Sequence, residues 1–215
     1  MSEEYESIRI RLGDAVLNGD LAKVEGARGI VLFAHGSGSG RHSPRNRYVA
    51  DRIIDEGLSV LLMDLLTEEE DRVDQVTREH RFNTPMLADR VREVKNWVQR
   101  RRGTMDLSVG LYGSSTGAAA ALIAAAESPD GVGAVVSRGG RVDLASDALS
   151  RVKAPTLFIV GGRDTAVLGL NRDAFEMLAV EKRLEVIPGA GHLFSEPGTM
   201  DEVTSLSIEW FKEHL

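Results

Sequence analysis

Two stretches near the start of the chain, Ile8 to Leu12 and Ala15 to Val24, alternate apolar with polar or charged side chains. A period of two puts one face of a strand into a core and the other into water. Gly13-Asp14 and Asn18-Gly19 are turn pairs of the kind that close hairpins. The pattern predicts an antiparallel amino-terminal hairpin or meander at a sheet edge. The alternation then stops. Gly29 to Ala34 and Leu58 to Met63 are almost continuously apolar, as strands covered on both faces are. Between them, Tyr48 to Glu56 carries apolar residues at helical spacing and Gly57 ends it.

The same succession continues. A helix is predicted from Pro85 to Arg101, with Met86, Leu87, Val91, Val94 and Val98 on one face. Leu107 to Tyr112 reads as a strand, and Thr116 to Ala126 as an alanine-rich helix able to pack close to a sheet. Strands are expected at Gly131 to Ser137, Ala154 to Val160 and Arg183 to Ile187, and helices at Asn171 to Leu178 and Met200 to His214. Leu65 to Thr84 fits neither period. It reads as a solvated excursion, and it is the one segment long enough to act as a partial lid.

Strands alternating with helices predict an α/β fold, with a mostly parallel, doubly wound sheet and helices on both faces. The 215 residues contain no internal repeat, low-complexity linker or break in composition. A single domain over residues 1–215 is expected, with no separate cap domain. With 33 acidic and 26 basic residues the formal charge is −7. That argues against nucleic acid as a partner, since phosphate binding needs a basic face. The absence of cysteine excludes disulfides, thiolate metal sites and a cysteine nucleophile. The run Glu68-Glu69-Glu70-Asp71 lacks a spaced ligand set, and neither a metal nor an organic cofactor is expected. Met1 to Glu6 is acidic and polar, unlike a secretory leader. No apolar run approaches the roughly 20 residues that cross a bilayer. A cytoplasmic protein without a membrane partner is the expectation; the oligomeric state is not legible.

Ligands of open parallel sheets collect beyond the carboxyl ends of the strands. The residues expected there are His35 to Gly40, Asp64, Ser115, Arg138 to Arg141, Asp164 and His192. Ser115 lies in Gly113-Ser114-Ser115-Thr116-Gly117, between an apolar strand and an alanine-rich helix. Small residues two before and two after it allow a tight turn that pushes the hydroxyl above the sheet edge. The same turn could also hold serines that merely cap the helix. Serine, carboxylate and imidazole follow in that order. A serine hydroxyl becomes a useful nucleophile once an imidazole takes its proton and a carboxylate steadies the ring.

Together, His35-Gly36-Ser37-Gly38, Gly113 to Gly117, Gly161-Gly162-Arg163-Asp164 and Gly189-Ala190-Gly191-His192 resemble the motifs of an α/β-hydrolase. Within that group the chain resembles the small, lidless dienelactone-hydrolase-like members. The resemblance implies Ser115 as nucleophile, His192 as general base and acid, and Asp164 as its orienting carboxylate. Asp143 and Asp64 are the competing acids. It also implies an oxyanion hole made by the backbone N–H groups of Ser37 and Thr116. Dienelactone hydrolases proper carry cysteine at the elbow, where this chain has Ser115. The implied activity is hydrolysis of a small carboxylic ester, thioester or lactone through an acyl-enzyme. A binding or scaffold protein that kept the fold, or an acyltransferase or amidase on the same residues, are the alternatives. Arg41 and Arg138, with Arg45, Arg47 and Arg141 nearby, could recognise a carboxylate or phosphate on the substrate, or could form surface ion pairs.

Overall fold

A computed structural model describes residues 5–215. The start of the acidic amino terminus, Met1 to Glu4, lies outside the described residues. Eight strands form one sheet: β1 (Glu6–Leu12), β2 (Ala15–Ala22), β3 (Gly29–Ala34), β4 (Ser59–Met63), β5 (Ser108–Ser114), β6 (Val132–Arg138), β7 (Thr156–Gly161) and β8 (Lys182–Ile187). Their order across the sheet is β1-β2-β4-β3-β5-β6-β7-β8. β1 and β2 form the expected antiparallel hairpin, and β2 also runs antiparallel to β4. From β4 to β8 every pair is parallel.

The helices are α1 (Pro44–Asp55), α2 (Glu68–Thr77), α3 (Thr84–Val98), α4 (Thr116–Glu127), α5 (Ser146–Leu149), α6 (Thr165–Met177) and α7 (Thr199–His214). Successive residues of β3 face opposite layers. Ile30 and Leu32 join the core that contains Leu87, Val91 and Val94 of α3 and the alanines of α4. Val31 and Phe33 join the core that contains Val49 and Ile53 of α1 and Trp210 and Phe211 of α7. This two-sided burial is why β3 is apolar at every position. Gly110 makes room for the terminal helix, since a Cβ there would lie 2.7 Å from the Phe211 ring.

Several local expectations are corrected. Asn18-Gly19 does not turn; both residues lie inside β2, opposite Arg9 and Ile8. A Cβ on Gly19 would come within 3.0 Å of Leu61 and 3.3 Å of Ile10, so glycine serves close packing there. The excursion holds a regular helix, α2, opened by a capping box. Thr67 Oγ1 accepts from the Glu70 amide at 3.1 Å, and Glu70 Oε2 accepts from the Thr67 amide at 2.7 Å. The acidic run Glu68 to Asp71 is its first turn, where negative charge meets the positive end of the helix dipole. α1 begins at Pro44, with Ser43 as its cap, and α6 begins at Thr165 rather than Asn171. No helix among the described residues is long and apolar enough to cross a membrane.

Lys95 of α3 is buried, 2% exposed, and its ammonium joins α3 to the segment after α4. Nζ donates to the carbonyl of Ser128 (3.1 Å), its hydroxyl (2.8 Å) and the carbonyl of Asp130 (2.9 Å). Burial pushes the Lys95 pKa down from the usual lysine range. Replacing it with methionine keeps the apolar stem and leaves these acceptors unpaired. Lys95→Met is expected to destabilise the protein by about 1–3 kcal/mol in urea unfolding; a loss below about 0.5 kcal/mol would mean that water replaces the ammonium freely.

Candidate active site

Ser115 joins the end of β5 to the start of α4 with φ 51° and ψ −121°. Positive φ costs a non-glycine residue on the order of 1–3 kcal/mol and persists where the surroundings over-determine it. Here they do. The Ser115 amide donates to Arg138 O (3.1 Å), and its carbonyl accepts from Arg141 N (3.0 Å) and Ala118 N (3.1 Å). A Cβ on Gly117 would lie 2.2 Å from Ala34 O, and one on Gly113 2.3 Å from Ala118 Cα. Backbone fills both spaces, so both positions demand glycine. Gly36 packs on the same turn; its Cβ would be 3.1 Å from that of Ser115.

The other half of the site is built at the ends of β7 and β8. Asp164 follows the Gly161-Gly162 turn, and its amide donates to Gly161 O at 3.0 Å. A Cβ on Gly161 would meet Ala190 O at 2.5 Å and Gly191 O at 2.6 Å, so the two loops are in direct backbone contact. The loop after β8 is tied by Phe194 N to Gly191 O (3.2 Å) and by Gly191 N to Glu196 Oε1 (3.1 Å). Phe194 also takes positive φ, 51°. The Gly191 amide helps hold the Glu196 carboxyl below the usual carboxylate range. On this frame His192 Nδ1 stands 2.6 Å from Asp164 Oδ2. The carboxylate accepts, so Nδ1 donates and Nε2 is left to accept a proton.

The competing acids have other partners. Asp143 takes both arms of Arg141, at 2.9 and 2.8 Å, and that bond holds its carboxyl below the usual range. Asp64 accepts from the Arg41 amide at 2.8 Å and pairs with its guanidinium.

Ser115 and His192 line one cavity of about 260 Å³ together with Ser37, Ser39, Arg45 and Arg138. Arg41 is not brought there. It pairs with Asp20 (3.6 Å) and Asp64 and lines a separate cavity of about 720 Å³ with Glu68, Asp71 and Arg81. The Ser37 amide, expected to be free for an oxyanion, donates to Thr116 Oγ1 at 2.9 Å. Thr116 N–H belongs to the first residue of α4, where intrahelical bonding leaves amides open. Arg45, one of the arginines named from the sequence, is brought to this cavity; Asn46, not named there, also takes part. Asn46 is buried, and its Oδ1 accepts from Arg138 Nη2 at 3.2 Å. The signal that could have found Asn46 is Ser43-Pro44, a cap followed by proline at the first helical position.

His35 is a structural member of the site. It is buried; its Nδ1 lies 2.9 Å from Gly36 O, and its Nε2 accepts from Leu65 N at 3.0 Å. The neutral ring thereby ties the end of β3 to the segment after β4. Burial pushes its pKa below the usual histidine value.

The profile of the Dienelactone hydrolase family matches residues 17–214. A solved dienelactone hydrolase from Anabaena variabilis is 51% identical, with a TM-score of 0.98 over 100% of both chains. Est1E from Butyrivibrio proteoclasticus is 14% identical, with a TM-score of 0.79 over 96% of this chain and 98% of that one. The Pyrococcus furiosus esterase Pf2001 is 18% identical, with a TM-score of 0.80 over 99% and 94%. These last two share the fold. Relatives from Mycobacterium tuberculosis named "Putative phosphoribosyl transferase" are 50% identical over 210 residues, 98% of this chain and 46% of theirs. The chain therefore spans about half the length of the curated relatives it matches.

The buried imidazole of His35 makes stability depend on pH. Its folded pKa is lowered, so between that value and about 6.5 the unfolded chain binds more protons. The contribution is full above about pH 6.5 and is lost as pH falls, by up to about 1.4 kcal/mol per pH unit. In urea unfolding from about pH 7.5 down to about pH 5, wild type should lose stability more steeply than His35→Gln; parallel slopes would contradict the assignment.

Proposed function

The chain belongs to the dienelactone hydrolase family, and from that premise we propose that it hydrolyses a small carboxylic ester through an acyl-enzyme on Ser115. The observation that carries this reading is the 2.6 Å contact between His192 and Asp164, with His192 lining the same cavity as the strained Ser115 turn. In the proposed cycle, Ser115 Oγ attacks the ester carbonyl carbon while His192 Nε2 takes the hydroxyl proton. Asp164 holds the ring through Nδ1–H and supports the positive charge that forms. The tetrahedral oxygen sits against Thr116 N–H at the positive end of α4. His192 then gives its proton to the leaving alcohol as the carbonyl–oxygen bond breaks. Water, deprotonated by the same imidazole, attacks the acyl group and frees the acid and Ser115.

The Ser37 amide joins the oxyanion hole by exchanging its bond to Thr116 Oγ1 for one to the developing charge. Serine at the elbow in place of cysteine makes the imidazole indispensable, because a hydroxyl ionises far less readily than a thiol.

A fluorophosphonate probe should label the wild-type protein and leave Ser115→Ala unlabelled; a probe that never reacts, or that still reacts with Ser115→Ala, would sink the reading in favour of a non-catalytic binding protein. Asp164→Asn should lower kcat for p-nitrophenyl acetate by on the order of a thousandfold or more while the protein stays folded. Thr116→Val removes the oxygen that holds the Ser37 amide and should raise kcat by roughly two- to tenfold, the worth of one exchanged hydrogen bond. A fall instead would mean that the threonine hydroxyl aims that amide.

A further inference from the structure

Most arginines around the carboxyl edge of the sheet have a carboxylate. Arg41 pairs with Asp20 and Asp64, Arg47 with Asp20, Arg81 with Asp74 and Arg141 with Asp143. Two differ. Among the described residues, no ion pair includes Arg45 or Arg138. Both line the Ser115 cavity. Arg138 is 7% exposed; the groups it meets are neutral: the Asn46 amide at 3.2 Å, the Phe194 ring 6.0 Å from its guanidinium carbon, and the buried Tyr112 hydroxyl. The Nε atoms of both arginines are buried and have no hydrogen-bond partner. Arg45 also sits in the first turn of α1, which has no acidic residue, so the helix dipole adds to its charge instead of offsetting it. Burial and the charge of Arg138 both push the Arg45 pKa down.

A buried guanidinium without a counter-charge is costly, and here a neighbouring cation and a helix amino terminus raise that cost. A monoanion would neutralise one of the two charges. A dianion neutralises both and offers enough oxygens for two guanidinium forks. We propose that Arg45 and Arg138 form an anion subsite beside Ser115 that takes a phosphate monoester carried by the ester substrate. This rests on the reading of the Ser115 cavity as the substrate site, and it narrows the substrate class to small phosphorylated esters. The cavity, about 260 Å³, lies just below the usual range for a ligand site and suits a short acyl group with a phosphate close by.

The test compares methyl phosphate, methyl sulfate and acetate as inhibitors of p-nitrophenyl acetate hydrolysis by the wild-type protein at about pH 7.5. Methyl phosphate should compete with an inhibition constant at least about tenfold below both monoanions, the worth of a second charge-assisted contact. The margin should shrink below about pH 6, where the phosphate loses its second charge. Equal inhibition by the three, or acetate matching methyl phosphate, overturns the assignment. Arg45→Ala, at a half-buried position, and Arg138→Lys, which keeps the charge and loses the fork, should each lower the ratio of acetate to methyl phosphate constants by about tenfold. A ratio unchanged in both variants also overturns it. Calorimetric titration of methyl phosphate into Ser115→Ala separates the two readings. If Ser115→Ala binds methyl phosphate while the wild-type protein neither labels nor turns over ester, the hydrolase reading alone falls; wild-type turnover without preference for the dianion removes the subsite alone.

Discussion

Gly117 lies so close to the carbonyl oxygens of Ala34 and His35, 2.2 and 2.4 Å from where a Cβ would be, that no side chain fits between them. This backbone contact sets the geometry on which the rest of the site depends. It joins the amino end of α4 to the exit of β3, the strand that pairs in register with β5, Ala34 opposite Gly113. With the two strand ends fixed, the turn at Ser115 connects β5 to α4 at positive φ, 51°. The loop carrying Gly36 and Ser37 is thereby held against the Ser115 turn. Gly161, pressed on the carbonyls of Ala190 and Gly191, plays the same part for the loops of Asp164 and His192. Two close backbone approaches, each possible only at glycine, hold the two halves of the candidate site.

Much of this was legible in the sequence because the sheet is built from buried, continuously apolar strands and the chemistry stands just past their ends. Ser115, Asp164 and His192 could be picked out in that way, and the resemblance of the flanking glycine motifs named their expected roles. What was not legible has a physical cause in each case. α1 starts at Pro44, but Pro44 to Arg47 is polar and carries no apolar period, so its first turn looked like loop. α2 lies on the surface with one buried residue, Asp74, and an almost fully solvated helix leaves little apolar periodicity. Its capping box and acidic first turn were the readable signals. Asn18-Gly19 has turn chemistry, yet packing against Leu61 and Ile10 outweighed it. Partner choice is a tertiary property: nothing in the sequence told that Arg41 would meet Asp20 and Asp64, or that the Ser37 amide would find the Thr116 hydroxyl.

The segment from His35 to Asn46 divides the carboxyl edge of the sheet into two electrostatic environments. On one side Arg41 is matched by Asp20 and Asp64, in a cavity that also holds Glu68 and Asp71. On the other side Arg45 and Arg138 face Ser115 and His192 with no carboxylate. Both cavities share Ser39 and Ser43 as wall, so a few residues of backbone separate a balanced surface from an unbalanced one. The chain carries a net charge of −7, and acidic side chains are plentiful. Scarcity of carboxylates cannot explain the imbalance beside Ser115. A carboxylate placed there would satisfy the arginines, and it would also repel the oxyanion of a tetrahedral intermediate and compete with substrate for the same guanidinium groups. In the proposed reaction, the positive field left in place draws in an anionic substrate and favours the negative charge that develops during acyl transfer. The cost in stability of two unpaired cations and the chemistry proposed for Ser115 thus have one electrostatic origin.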